Sequence, residues 1–236
     1  MSDELIQNPR LARWQTARTE VTGAWKEKRR LAAAMRSVIS RLVEIEAPEA
    51  ELAAAADGLE RYAARLERHP RPNRYEGWSE VSASGDVGSF FDHSPLIGLS
   101  NPLAPPIELS PDADGRTVHG RVVFGSAYEG PPGCVHGGYI AAAFDELLGF
   151  ANSLSGTPGM TGTLSIRYRR PTPLHTELRL EGRYERSEGR KIFTTGQLFS
   201  SEVLCAEADG LFIAVGYERF RGLFEERKKR DGERER

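Results

Sequence analysis

Residues 139–151 hold an apolar run in which Tyr139, Ile140, Ala141, Ala142, Ala143 and Phe144 lead into Leu147, Leu148 and Phe150. The run has the length of a helix and is apolar on nearly every side, which predicts a helix buried all round. One acidic pair, Asp145-Glu146, interrupts it. A carboxylate inside a buried helix is costly unless it is paired or used, so Asp145 or Glu146 is the first functional candidate. Upstream, Ile107 to Ser110 and Thr117 to Phe124 read as a strand hairpin around the turn residues Pro111-Asp112-Ala113-Asp114-Gly115. Downstream, Ser155-Gly156-Thr157-Pro158-Gly159 stops the helix. Leu164, Ile166 and Tyr168 then alternate with polar neighbours, and three more strands are predicted over 177–184, 192–200 and 204–215. Two strands, a buried helix and four antiparallel strands predict an α+β layer arrangement.

The first seventy residues carry a different pattern. Trp14, Val21, Lys28, Met35 and Leu42 fall seven apart, with Ala17, Ala24, Leu31, Val38 and Ile45 as a second row. This heptad stripe predicts one long helix. Ala47-Pro48 breaks it, and Leu52, Leu59 and Leu66, with Ala55 and Tyr62 beside them, predict a second helix that His69-Pro70 ends. The expected organisation is a helical hairpin over 1–70, a linker over 71–84 rich in turn residues, the α+β domain over 85–222, and a charged, disordered tail over 223–236. The hairpin contains no catalytic constellation. It serves packing and assembly, or caps a substrate entrance.

Chemistry gathers just before the central helix. Gly130-Pro131-Pro132-Gly133 is turn material, followed by Cys134, Val135, His136, Gly137 and Gly138. At a helix N-terminus the first backbone N–H groups lack partners, the helix dipole adds positive charge, and glycines admit a ligand oxygen close to the backbone. That combination makes an oxyanion hole or, more plainly, a glycine turn opening a core helix. Asp145 lies eight residues beyond Gly137, about 12 Å further along one helix. One chain therefore does not easily bring both groups to a single carbonyl carbon. If both act, they come from two helices related by a two-fold axis, which gives a homodimer with two shared sites.

The ordered set Tyr128-Glu129-Gly130-Pro131-Pro132-Gly133, His136-Gly137-Gly138 and Asp145 resembles the PaaI-type acyl-CoA thioesterases of the hotdog-fold superfamily. The resemblance continues through Met160 to Leu164, Tyr168 to Leu174 and Glu188 to Ile192, and covers roughly the second half of the chain. It implies an antiparallel sheet wrapped round the central helix, dimers that share the active site, and hydrolysis of the thioester between coenzyme A and an acyl group, as in lipid metabolism. Matched position by position, it implies Asp145 as general base or nucleophile and Gly137 as oxyanion donor. It makes Gly138 a supporting donor or spacer, and His136 a residue that shapes the site or is bonded within its turn. Thr161 would carry a hydroxyl near the water or the carboxylate, with Thr163 as the backup. Many relatives carry an amide six residues before the His; here that position is Gly130. Arg167, Arg169, Arg170, Arg190 and Lys191 would meet the phosphates of coenzyme A, or are solvated surface charges.

Composition narrows the rest. A net charge of −2 gives no global attraction to nucleic acid. The two cysteines, Cys134 and Cys205, make no disulfide framework, and Cys134 reads as a small turn residue rather than a nucleophile. No His, Cys, Asp and Glu set has metal-ligand spacing, so no metal or cofactor is expected beyond coenzyme A as part of the substrate. His93 is either a ligand contact or a turn histidine. No signal peptide or membrane span is read, and the expected compartment is the cytoplasm. The expected partners are an acyl-CoA and a second copy of the chain, with a dimer of dimers as a further assembly. Two other functions stay open: a binding or regulatory module that has lost turnover, and a hotdog dehydratase acting on a hydroxyacyl thioester, whose His and carboxylate motifs are not found in this sequence.

Overall fold

The computed structural model describes residues 14, 20–69, 91–157, 159–215 and 226. The expected linker over 71–84 and, apart from residue 226, the tail over 223–236 lie outside them. Two helices come first, α1 (Gly23–Leu42) and α2 (Glu49–Glu67). Strands β1 (Glu108–Pro111) and β2 (Thr117–Val123) follow, then a short turn of 3-10 helix at Ser126–Tyr128 and the central helix α3 (Gly137–Ser153). Four strands complete the chain: β3 (Gly159–Tyr168), β4 (Glu177–Glu188), β5 (Lys191–Ser200) and β6 (Val203–Ala214). All pair antiparallel in one six-stranded sheet of order β1-β2-β4-β5-β6-β3. This is the expected α+β hotdog arrangement, a sheet wrapped round one helix.

The alternation read from the sequence is the alternation of burial. Leu178 and Leu180 of β4, Ile192 and Leu198 of β5, and Val118 and Val122 of β2 face α3, while their neighbours face outward. Ile140, Ala143, Phe144, Leu147, Leu148, Phe150 and Ala151 supply the helix side of the core. Each buried Leu, Ile or Phe contributes about 1.5–3 kcal/mol. The helix lies unusually close at Gly182 and Gly196, paired neighbours on β4 and β5. A Cβ on Gly182 would stand 2.8 Å from Leu147 Cγ, and one on Gly196 would stand 3.1 Å from a Leu148 methyl. Side chains there would lift α3 off the sheet.

Two expectations need correction. The central helix is not buried all round: Gly138, Tyr139 and Asp145 are exposed. The reason is topological. β3 is the last strand of the sheet, so the flank of α3 beyond it has no cover within one chain. The N-terminal stripe also differs. Glu20, Val21 and Thr22 are not helical, Gly23 opens α1 with φ +56°, and Trp14 stands in a turn. Met35, Val38, Leu42 and Ile45 are exposed. The inward face of α1 is instead Trp25, Arg29, Ala32 and Arg36, at helical spacings of four, three and four.

What turns that face inward is polar. Asp92, fully buried, accepts from Trp25 Nε1 at 2.7 Å, from the Arg29 guanidinium at 2.8 Å and from the Ser100 hydroxyl. Arg36 donates to the carbonyls of Leu99 at 3.2 Å and Asn101 at 2.9 Å. A buried carboxylate without these donors would be severely destabilising, so they select the rotation of the helix over its apolar heptads. Trp14 stacks on Phe150 at 5.0 Å and meets Phe91 edge-on at 4.5 Å, which ties this one residue to the core. His93 sits in the same turn segment, with Lys28 Nζ 2.7 Å from its Nε2 and Trp25 beside its ring.

Candidate functional site

The start of α3 is built by its own preceding turn. The His136 N–H donates to the Tyr128 carbonyl at 2.9 Å, and its Nδ1 accepts from the Gly138 N–H at 3.0 Å. His136 is thus the N-cap of the helix, with extended backbone. The cap takes up the Gly138 amide and leaves that of Gly137 as the first candidate donor of the helix. The Tyr168 hydroxyl, at the far end of β3, donates to the Gly137 carbonyl at 2.9 Å. A Cβ on Gly137 would come to 3.4 Å from that hydroxyl, so the glycine has ordinary contact there rather than free space.

Gly130 explains the missing amide in steric terms. A Cβ at this position would stand 2.7 Å from His136 Cα and 3.2 Å from His136 N. The turn is folded so tightly onto the cap that no side chain fits. Cys134 lies in the same turn, where its N–H donates to Pro131 and its carbonyl accepts from Gly130, both at 2.9 Å. It is a free, partly exposed thiol with its backbone engaged in the turn, while Cys205 is buried.

Two turns along α3, the acidic pair divides. Asp145 points to the open flank, where its Oδ1 accepts from Thr161 Oγ1 at 2.8 Å. Glu146 points inward and is partly buried, with Ser94 Oγ at 3.4 Å from Oε1. Burial and the neighbouring Asp145 charge push its carboxyl up to about 7, against a small opposing effect of the Ser94 hydroxyl. Thr161 reaches Asp145 from the first part of β3, just before a bulge at Gly162; Thr163 lies exposed beyond that bulge. β3 therefore runs past α3 in the opposite direction, its beginning against Asp145 and its end against Gly137.

The proposed phosphate-binding cations fall into two groups. Arg167 pairs with Glu207 at 3.2 Å and Asp209 at 2.8 Å, and Arg169 pairs with Glu207 at 2.5 Å, all on the outer side of β3 and β6. Those arginines, Arg169 first, hold the Glu207 carboxyl below its ordinary value. Arg190 and Lys191 lie at the other end of the sheet, where Lys191 is in register with Ile213, and Ile213 with Met160. Arg190 donates to the Ala214 carbonyl at 3.3 Å. One chain does not bring the two groups together. Arg170, beside the first group, is exposed.

Sequence reasoning missed Tyr168 and Ser94. Tyr168 continues the alternation of Leu164 and Ile166, so it reads as a core residue. Ser94 sits in a stretch without periodicity, and nothing in the sequence ties it to Glu146. Among the described residues no three His, Cys, Asp or Glu side chains come together in a way that could hold a metal ion, and no helix is long and apolar enough to cross a membrane.

The family model of the thioesterase superfamily matches residues 132–206, from the turn before the His136 cap into β6. Among curated proteins, the chain is 38% identical over 93 residues to the acyl-coenzyme A thioesterase THEM4 of Xenopus laevis, covering 39% of this chain and 42% of that one. It is 36% identical over 97 residues to the THEM4 of Bos taurus, covering 40% of each. The chain thus spans about two fifths of the length of the curated relatives it matches. A crystal structure of a thioesterase superfamily protein is similar over far more: 36% identity, a TM-score of 0.71, 79% of this chain and 94% of that chain. That share exceeds the part of the chain after residue 90, so the likeness takes in N-terminal residues as well. With its sheet-wrapped helix and the ordered turn, cap and carboxylate, the chain belongs to the thioesterase superfamily.

Proposed function

We propose that the chain hydrolyses the thioester bond of acyl-CoA substrates, at sites that each draw on two copies of the chain. The observation that carries this reading is the exposed Asp145 carboxylate, held by Thr161 on the uncovered flank of the core helix. A carboxylate held by a hydroxyl on an otherwise apolar helix, beside an open sheet edge, is a candidate for chemistry rather than for folding alone. The names of the THEM4 relatives support the substrate class.

The edge strand supports the two-chain site. A ten-residue edge strand that exposes apolar groups such as Met160 and Tyr168 offers a template for pairing with another chain. If two copies pair through β3 about a two-fold axis, the beginning of one strand meets the end of the other. Asp145 of one copy then approaches Gly137 of the partner, and the Arg190-Lys191 corner approaches the partner's Arg167-Arg169 corner. That arrangement overcomes the separation of about 12 Å along one helix.

In this reading the thioester carbonyl oxygen sits at the Gly137 N–H, with Gly138 as spacer behind the His136 cap. By one route Asp145 takes a proton from water, and the hydroxide adds to the carbonyl carbon. The oxyanion collapses, the C–S bond breaks, and the thiolate of coenzyme A takes up the proton. By the other route Asp145 adds to the carbon itself, expels the thiolate and forms a mixed anhydride that water opens. Single-turnover hydrolysis in oxygen-18 water separates the routes, since label enters Asp145 only by the second. The test of the function is a panel of acyl-CoA esters with a thiol-detecting reagent, run on the native chain and on Asp145→Asn. Thiol release by the native chain alone supports the proposal. Binding of acyl-CoA without release would favour a binding module, a reading that the side-chain-free position at Gly130 also fits.

A further inference from the structure

We infer that α2 is a self-association surface, which pairs antiparallel with α2 of a second copy of this chain. Three observations carry it. Among the described residues nothing buries α2: the helix has no buried residue, and Leu52, Leu59 and Leu66 are 42%, 51% and 45% exposed. These leucines recur at seven, with Ala55 and Tyr62 between them, which is the seam of a two-stranded coiled coil. A helix of nineteen residues with such a seam exposed is marginal alone and gains its stability by packing.

The second observation chooses the partner. The residues immediately before the three leucines are Glu51, Gly58 and Arg65: an acid, a small residue and a base. Turned end for end, this series is complementary to itself. Antiparallel pairing about Gly58 sets Glu51 against the partner's Arg65 and Arg65 against the partner's Glu51. The seam row, whose centre falls one residue earlier than that of the flanking row, sets Leu52 across from the partner's Tyr62 and, in the inner layers, Leu59 across from the partner's Ala55, large against small. A parallel pair would make neither ion pair across the seam. It would also align two helix dipoles, each already loaded with Glu49 and Glu51 at the start and Arg65 at the end.

The third observation is space. A Cβ on Gly58 meets nothing within 4 Å in the chain, so the centre of the pairing line is open. The small residue there lets two backbones cross closely. This contact is separate from the β3 edge and does not depend on catalysis.

The test uses the full chain with Cys134→Ser to remove the partly exposed thiol, and Gly58→Cys to mark the two-fold centre. A short bis-maleimide should convert dilute protein to a covalent dimer through Cys at 58. The same thiol placed at Asp57, on the outer face, should react with the reagent yet cross-link poorly. Glu51→Arg alone sets Arg against Arg twice and should lower cross-linking by about tenfold, as should Arg65→Glu alone. The double reversal, Glu51→Arg with Arg65→Glu, restores both pairs and should restore cross-linking to near the starting level. Circular dichroism confirms that each variant keeps its helices. Equal cross-linking from 57 and 58, indifference to the single reversals, or failure of the double reversal to rescue would each overturn the antiparallel self-pair.

Discussion

The Thr161 hydroxyl donates to the Asp145 carboxylate at 2.8 Å, joining the edge strand of the sheet to the exposed flank of its central helix. The bond fixes one oxygen of Asp145 and leaves the other available to a substrate or water. Removing the donor should free the rotamer without unfolding anything, because the pair is exposed. Thr161→Ala is expected to lower kcat by about tenfold, the worth of one hydrogen bond to a charged group in an exposed setting. Thr161→Ser should keep most of the rate. Steady-state kinetics with melting curves on both variants check it; equal losses for Ala and Ser would mean that the methyl group, not the hydroxyl, matters.

Glu146 predicts a pH effect on stability. Its carboxyl is raised in the folded chain from 4.5 to about 7, so between these values the folded state holds a proton that the unfolded state has released. This contribution is fully present below about 4.5 and is lost as pH rises through about 7. Glu146→Gln keeps the shape and removes the titration. Thermal unfolding at pH 5 and pH 8 should show a smaller difference between the two pH values for Glu146→Gln than for the native chain, with the variant relatively more stable at pH 8.

Arg29 and Asp92 predict that the N-terminal helix is needed for the stability of the rest. Arg29→Met should cost about 3 kcal/mol, because it leaves a buried carboxylate short of its cation. A chain beginning near Tyr75 loses Trp25 and Trp14 as well and should be less stable still. Arg29→Met combined with Asp92→Leu should recover part of the loss, since the buried charge is gone. Urea unfolding of the three variants measures this, and a double variant no better than Arg29→Met would place the cost elsewhere.

The shared site predicts complementation. Asp145→Asn and Gly137→Val should each be inactive alone, the second because the valine crowds Tyr168 and the amide beneath it. A mixed dimer holds one site with both defects and one with neither. Random exchange at equal amounts should therefore restore about a quarter of native activity, for independent sites. No recovery after proven exchange, with the Gly137→Val dimer intact by light scattering, would place each site within one chain.

The sequence by itself determined the strands, the central helix and their succession along the chain; the order of the strands in the sheet came from the tertiary structure. Alternation at two and a closed apolar run are local patterns, and Leu178, Leu180, Ile192, Phe144 and Leu147 carry them wherever the chain is read. The separation of Gly137 and Asp145 is likewise fixed by helix geometry alone. Only the tertiary structure decided which carboxylate faces out, because adjacent helical residues differ by about a third of a turn and the pattern does not say where the sheet ends. It also decided which face of α1 is inward. The apolar heptads through Met35 and Leu42 are the stronger sequence signal, yet the buried Asp92 calls for the donors of Trp25 and Arg29, more than sixty residues away. Tyr168 meets Gly137, and Thr161 meets Asp145, through the same kind of distant encounter. Local periodicity reports how much a face prefers to be dry; which polar groups it meets there depends on where the fold brings the chain back.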